Sequence, residues 1–480
     1  MSDLDTLEPK ALWSYFLALS KIPRASKQEA VAAKWVADQG RALGCEVEQD
    51  AVGNVLIRKA ATPGREGRPG LAMQAHVDMV CEKNEGTPHD FAKDPIQVFR
   101  DGEVLRARGT TLGADNGIGV AAGLAVLAAK DLQHPMLELL VTIDEETGLT
   151  GANNVKPGWM KATRLLNLDS EEEGELTIGC AGGVDTVARR KVAFAAPAPG
   201  RQALRIKVYG LKGGHSGIDI QGNRGNAIRI LGQVLDALAP HGLQLASVKG
   251  GNKRNAIPRE AAAVVLVEPG RAAAVTADVE RLAREWKAAL GAFDPGVAIS
   301  VEPGAADRVL PAADASALVG LLLAGPHGVE AMSPDIAGLV QTSTNLGIVD
   351  TQADAVEVVF LSRSSIDASK AALAARIAGV ARLAGFEPSH SGGYPGWKPE
   401  PDSAVVKLVD GVHEELFGKP MIVKAIHAGL ECGLIGEKYP GMEMASIGPS
   451  MWDVHTPDEH VSVPSVQAFW KLLTAILARA

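Results

Sequence analysis

Residues 137–146, Leu137-Glu138-Leu139-Leu140-Val141-Thr142-Ile143-Asp144-Glu145-Glu146, decide how the chain reads. A largely apolar run has the length and composition of a buried strand, and acidic residues follow it at once. Two further segments repeat the theme. Residues 71–80, LAMQAHVDMV, are apolar at odd positions and place Gln74, His76 and Asp78 on the other face. Residues 164–170, RLLNLDS, form another apolar strand ending at Asp169. Between these strands, residues 116–130, NGIGVAAGLAVLAAK, read as a helix of small residues. Upstream, residues 10–43 carry a helical pattern that Pro23 divides in two, and residues 45–58 alternate around a Gly53-Asn54 turn. Strands alternating with helices predict an α/β fold, a mostly parallel sheet with helices on both faces. Polar groups at strand C-termini then meet at one edge.

The chain has 480 residues, 46% hydrophobic and 22% charged, more than one ordinary core needs. The stretch AFAAPAPGR near residues 193–201 resembles a linker, and fresh alternation starts at RQALRIKVYGL. The expected division is a domain from residues 1–190 and 393–480, interrupted by an α+β domain at 191–392. The last 85 or so residues hold too few elements for a separate core and are expected to complete the first sheet. With 57 acidic against 48 basic residues, a net charge of -9 and no Lys/Arg stripe, nucleic acid is an unsuitable partner. The acidic start MSDLDTLEPK lacks the pattern of a secretory signal, and no apolar run is long enough to span a bilayer, so a cytoplasmic protein without membrane contact is expected. Cys45, Cys81, Cys180 and Cys432 are widely spaced, which suggests neither a disulfide framework nor a thiolate zinc site.

Five potential metal ligands stand at strand ends or in polar loops: His76, Asp115, Glu146, Asp169 and His455. Singly, each has an ordinary reading. His76 could be a strand histidine, Asp115 a turn residue or helix cap, Glu145 and Glu146 a solvated pair, Asp169 part of an acidic turn and His455 a loop histidine. Converging on one sheet edge, the same residues concentrate negative charge that divalent cations would relieve. Imidazole and carboxylate donors without thiolate suit Zn²⁺, Mn²⁺ or Co²⁺, and two ions require a bridging carboxylate. Glu145, next to a proposed ligand, could accept a proton from water. Gly117, Gly119 and Gly123 form a loose dinucleotide-like pattern, but it follows a polar loop instead of a strand and reads as a close-packed helix. There is no GxSxG elbow and no phosphate loop.

The segments His76-Val77-Asp78-Met79-Val80, Gly113-Ala114-Asp115-Asn116-Gly117, Asp144-Glu145-Glu146-Thr147-Gly148, Asn167-Leu168-Asp169-Ser170-Glu171 and His455-Thr456-Pro457 resemble, in order and spacing, the metal-site motifs of the M20 metallopeptidases. Within that family, GGHSGIDI, GGNKRNAIPRE, HAGLECG and SMWDVHTPDE are similar to aminoacyl-histidine dipeptidases, and the likeness covers nearly the whole chain. The resemblance implies two divalent metal ions, Zn²⁺ with Co²⁺ or Mn²⁺ as alternatives. His76 and Asp169 would hold one, Glu146 and His455 the other, with the Asp115 carboxylate bridging them and the Asp115–Asn116 peptide bond cis. It implies that Asp78 orients His76, that Glu145 is general base to a metal-bridging water, and that the inserted domain is a lid that also forms a homodimer. His215 would reach the neighbouring subunit's site and steady the oxyanion, Asn255 would contact the substrate carbonyl, and Arg363 and Gly429 would meet its carboxylate end. The reaction implied is hydrolysis of unblocked dipeptides, preferentially Xaa-His such as β-alanyl-histidine. A related deacylase or carboxypeptidase, or a metal-binding scaffold without turnover, is the alternative.

Overall fold

The computed structural model describes residues 3–480, apart from the side chain of Asp5; the first two residues of the acidic N-terminal stretch lie outside them. Among the described residues two compact units are distinct. One comprises the residues up to Gly179 with Trp397–Ala425 and Leu430–Ala480, the other Cys180–Gly396 with Ile426–Gly429. The second unit therefore interrupts the first in sequence. Among the described residues no helix is long and apolar enough to cross a membrane.

The first unit is built on a sheet whose strands lie in the order Glu46–Gln49, Val55–Lys59, Leu137–Thr142, Leu71–His76, Arg164–Asn167, Glu443–Ser446, Glu175–Cys180, Ile422–Ile426. Its centre, from Leu137–Thr142 to Glu443–Ser446, is parallel. Toward the margins, pairing turns antiparallel. Every residue of Leu71–His76 and Leu137–Thr142 is buried, as strands covered by helices on both faces must be. This explains why the strict alternation of residues 71–80 does not produce a solvent face. The strand also ends at His76, so Asp78 lies in the loop beyond it.

Parallel register aligns the strand ends. His76 stands opposite Thr142 and Gln74 opposite Asn167, so the loops that carry Asp78, Glu145, Glu146 and Asp169 leave the same edge. The Ala114–Ala128 helix packs against the Leu71–His76 strand and is buried along nearly its whole length. Its glycines are there for proximity, not for nucleotide binding: a Cβ on Gly119 would fall 2.7 Å from the Leu168 carbonyl oxygen, and one on Gly123 would run into the Leu139 side chain. The Glu443–Ser446 strand joins beside Arg164–Asn167, so the C-terminal segment completes this sheet.

The second unit is an antiparallel sheet in the order Ala298–Pro303, Gln202–Tyr209, Ala261–Val267, Gln244–Gly250, Val340–Thr351, Ala355–Ser364, Gly182–Lys191, Glu387–Tyr394. Helices Ala227–Leu238 and Asp367–Leu383 pack on it around a core that includes Ile228, Leu231, Val358, Phe360 and Ile377. Arg363, near the end of Ala355–Ser364, stands opposite Gly183 on one side and Ser343 on the other.

Candidate functional site

In the first unit the structure gathers His76, Asp115 and Asp169 into one cluster and Asp115, Glu146 and His455 into another, and brings Glu145 within reach of His76 and Glu146. Asp115 belongs to both. Its Oδ1 lies 3.1 Å from His76 Nε2 and its Oδ2 lies 3.1 Å from His455 Nε2. Asp169 Oδ1 is 3.4 Å from His76 Nε2, and Glu146 Oε2 is 2.9 Å from His455 Nε2. The Asp115–Asn116 bond is cis, as the resemblance implies. Asn116 Nδ2 donates to both Asp169 Oδ1 and the Leu168 carbonyl, tying the Asp115 loop to the neighbouring strand end.

Asp78 is fully buried and binds what surrounds it. One carboxylate oxygen lies 3.3 Å from His76 Nδ1 and accepts from Glu145 N at 3.0 Å; the other accepts from Glu146 N at 3.2 Å and Ser26 Oγ at 2.8 Å. A carboxylate on the far nitrogen of an imidazole fixes the ring and its tautomer, and here it also fixes the chain bearing two acids.

Three residues that the sequence reading passed over hold this site. Glu459 is buried and accepts from the backbone N–H groups of Leu112 (2.7 Å), Gly113 (3.0 Å), Ala114 (2.7 Å) and Asp115 (3.4 Å), presenting Asp115 from behind. Arg24, also buried, donates to the carbonyls of Val77, Asp78 and Gly113, joining the His76 and Asp115 loops. Gly113 has φ 68°, and a Cβ there would strike this guanidinium. Glu431 is buried beneath, taking Gln74 Nε2 at 2.5 Å and Thr142 Oγ1 at 2.6 Å. Glu459 and Glu431 stood inside quoted motifs, SMWDVHTPDE and HAGLECG; Arg24 had no local signal.

The electrostatics follow from burial. Burial opposes charging His76, yet Asp169, Asp115 and Asp78 outweigh it and raise its pKa well above the usual value. His455 is pushed up to about 11 by its hydrogen bonds to Asp115 and Glu146. Asp115 is driven below the usual carboxylate range despite burial, because both imidazoles favour its ionised form. Asp169 rises to about 6 through burial and the charges of Asp115 and Glu146. Glu145 is raised well above the usual range by burial, then by Asp169, Glu431 and Glu146. By themselves these groups relieve their crowding with protons on the imidazoles, a role that divalent cations fill better. Glu146 Oε1 supports that fit: it is buried and has no hydrogen-bond partner among the described residues. The donor set of imidazole and carboxylate suits Zn²⁺, Mn²⁺ or Co²⁺.

The remaining expected residues lie in the second unit. His215 Nε2 is 3.4 Å from Arg363 Nη2, and the Asn255 carbonyl accepts from Ser216 N at 2.9 Å, so the His215 and Asn255 loops are joined; the Asn255 residue is itself exposed. Arg363 is 4% exposed. Gly429 packs against the Tyr394 ring. His427 is buried with Nε2 2.7 Å from Ser343 Oγ, a structural hydrogen bond.

The chain is similar to known proteins along nearly its whole length. The Peptidase family M20/M25/M40 profile matches residues 72–479. A protein of Escherichia coli K12 named cytosol non-specific dipeptidase is 42% identical over 479 residues, covering 99% of both chains. The crystal structure of an aminoacylhistidine dipeptidase from Vibrio alginolyticus, also 42% identical, superposes with a TM-score of 0.92 over 100% of this chain and 98% of that one. An aminopeptidase from Bacillus cereus, 17% identical and covering 98% of both chains, shares the fold with a TM-score of 0.58.

Two outcomes are expected from these contacts. Glu459→Gln leaves one oxygen where two served four N–H groups, and should weaken divalent-cation binding by about 10–100-fold in a calorimetric titration. His427 is pushed down to about 3, first by burial and then by Arg363 and His215, whereas an unfolded imidazole titrates near 6.5. The folded state then binds fewer protons between those values, so this contribution to stability is complete above about pH 6.5 and is lost as pH falls through that window. The melting temperature should therefore drop more steeply from about pH 7 to about pH 4 in the wild type than in His427→Gln.

Proposed function

The chain belongs to peptidase family M20/M25/M40 and is a peptide hydrolase; on that premise we propose that it is a cytoplasmic dipeptidase dependent on two divalent cations, cleaving unblocked dipeptides with Xaa-His preferred. The observation that carries this reading is Asp115, which offers one carboxylate oxygen to each imidazole cluster while Glu145 stands beside both. His76, Asp169 and Asp115 would hold one cation and Glu146, His455 and Asp115 the other. Zn²⁺ is the choice we favour, with Co²⁺ or Mn²⁺ as substitutes. When bound, the cations would supply the positive charge that polarises the scissile carbonyl and acidifies water.

The chain's own groups then have distinct tasks. Glu145 takes the proton from the attacking water and returns it to the leaving amine, a task its crowded, buried carboxylate suits. Asp78 keeps the His76 ring and the Glu145–Glu146 backbone in position. In the second unit, which we assign as lid and dimerisation domain, Arg363 binds the peptide's free carboxylate. Gly429 borders that end, Asn255 contacts the substrate carbonyl, and His215 supports the oxyanion from the second copy of a homodimer. His215 is pushed down to about 4 by burial and by Arg363, so it acts as a neutral imidazole and donates one hydrogen bond. The E. coli relative is named non-specific and the Vibrio protein is named for aminoacyl-histidine, which supports acceptance of several dipeptides with Xaa-His among them.

The test is hydrolysis of β-alanyl-histidine, alanyl-histidine, alanyl-alanine and an N-acetylated dipeptide, before and after chelation and with Zn²⁺, Mn²⁺ or Co²⁺ restored. Cation-dependent cleavage of the unblocked peptides alone is expected, fastest for those ending in histidine; preference for the acetylated one would point to a deacylase. Glu145→Gln should still bind cations and lose about 10²–10⁴-fold in turnover. Sedimentation should give a dimer, and a fully active monomer would remove His215 from its role across subunits.

A further inference from the structure

We propose that Tyr394 is a second recognition group for the peptide's free carboxylate, acting through its hydroxyl beside Arg363 and setting the direction of that guanidinium; the inference rests on the dipeptidase reading above. Arg363 is buried, yet among the described residues it forms no ion pair with a carboxylate. Its neighbours are neutral: Tyr394 Oη at 3.0 Å from Nη1, Ser216 Oγ at 3.4 Å from Nε and His215 Nε2 at 3.4 Å from Nη2. Asp185, opposite Leu361 on the adjoining strand, is already engaged by Arg254. A buried guanidinium without an acid is costly to maintain and is matched by a ligand that brings a carboxylate.

Several features of the fold serve to bring Tyr394 there. On the Glu387–Tyr394 strand the register against Gly182–Lys191 shifts between Ser391, opposite Asp185, and Tyr394, opposite Gly183. Without that extra residue, Gly393 would face Gly183 and Tyr394 would turn to the other side of the sheet. With it, Tyr394, Gly183, Arg363 and Ser343 form one row across adjacent strands, and directly opposed residues share a face.

Gly183 leaves the gap in that row that the Tyr394 ring fills. A Cβ there would lie 2.7 Å from ring carbons and from the hydroxyl, and a Cβ on Gly429 would lie 3.0 Å from Cε2. Neither glycine has a positive φ, so each is needed for space, not for backbone conformation. The Tyr394 carbonyl is held by Lys370, 9% exposed, whose ammonium pairs with Asp367 at 2.7 Å, while Asp367 also accepts from Gly396 N at 3.1 Å. Tyr394 thus has its backbone tied, its ring slotted and its hydroxyl on the guanidinium. The hydroxyl accepts from Arg363 and keeps its own proton to donate to a carboxylate oxygen.

The experiment compares a dipeptide with its C-terminal amide, using the cation-loaded enzyme and its Tyr394→Phe variant. The variant keeps the ring and removes one hydrogen bond to a charged group, so kcat/KM for the free acid should fall about 10- to 100-fold, through KM, with kcat and the amide's rate nearly unchanged. Both substrates are read on one preparation, so loss of folded protein cancels in the acid-to-amide ratio. Should Tyr394→Phe not fold, Gly183→Ala, whose Cβ would push on the same ring and hydroxyl, should lower the same ratio. A ratio equal to the wild type's, or equal losses on acid and amide, would overturn the role of Tyr394 and leave the dipeptidase reading standing. Failure of the wild type to cleave either peptide would instead remove that reading, and this one with it.

Discussion

Like charges held close together out of water repel strongly, and that repulsion is the constraint from which the first unit is organised. Asp115, Glu146 and Asp169 crowd around two imidazoles, with Glu145 beside them, at the C-terminal edge of parallel strands. Such an arrangement persists only if each carboxylate is held against its tendency to move apart. Glu459 holds the Asp115 loop through backbone N–H groups, Asp78 holds the Glu145–Glu146 turn in the same manner, and Arg24 joins the His76 and Asp115 loops. The acids that do this work are themselves buried, so the site rests on a second layer of negative charge satisfied by amides.

The second unit presents the opposite charge problem. Its buried Arg363 is surrounded by a hydroxyl, a phenol and an imidazole, and burial and Arg363 keep His215 and His427 neutral. One unit concentrates negative charge suited to cations, the other isolates a positive charge suited to a carboxylate.

How much of this was legible in the sequence depends on whether the signal was local. His76, Glu146 and Asp169 follow or end apolar runs, so both their strands and their shared edge could be read directly. Asp115 and His455 stand in polar loops and became readable only as part of an ordered set. Arg24 gave no sign, because its three acceptors are carbonyls more than fifty residues away. The parallel centre of the sheet was legible, because apolar runs mark strands buried on both faces, and the strand pair around Gly53-Asn54 was legible from its turn; that Val55–Lys59 then joins Leu137–Thr142 antiparallel was not, because no local pattern fixes a pairing between segments so far apart.

By itself, then, the sequence determined the donor chemistry and its order along the chain: imidazoles and carboxylates at strand ends and in polar loops, two adjacent acids at Glu145 and Glu146, no thiolate pair and no phosphate loop. Those are properties of residue types and short periodicities. Only the tertiary structure decided that the two oxygens of Asp115 face different imidazoles, that Glu459 stands behind it, and that one extra residue before Tyr394 turns its ring toward Arg363. These outcomes depend on register, burial and close approach between segments 31 to 345 residues apart, which no local pattern of side chains encodes.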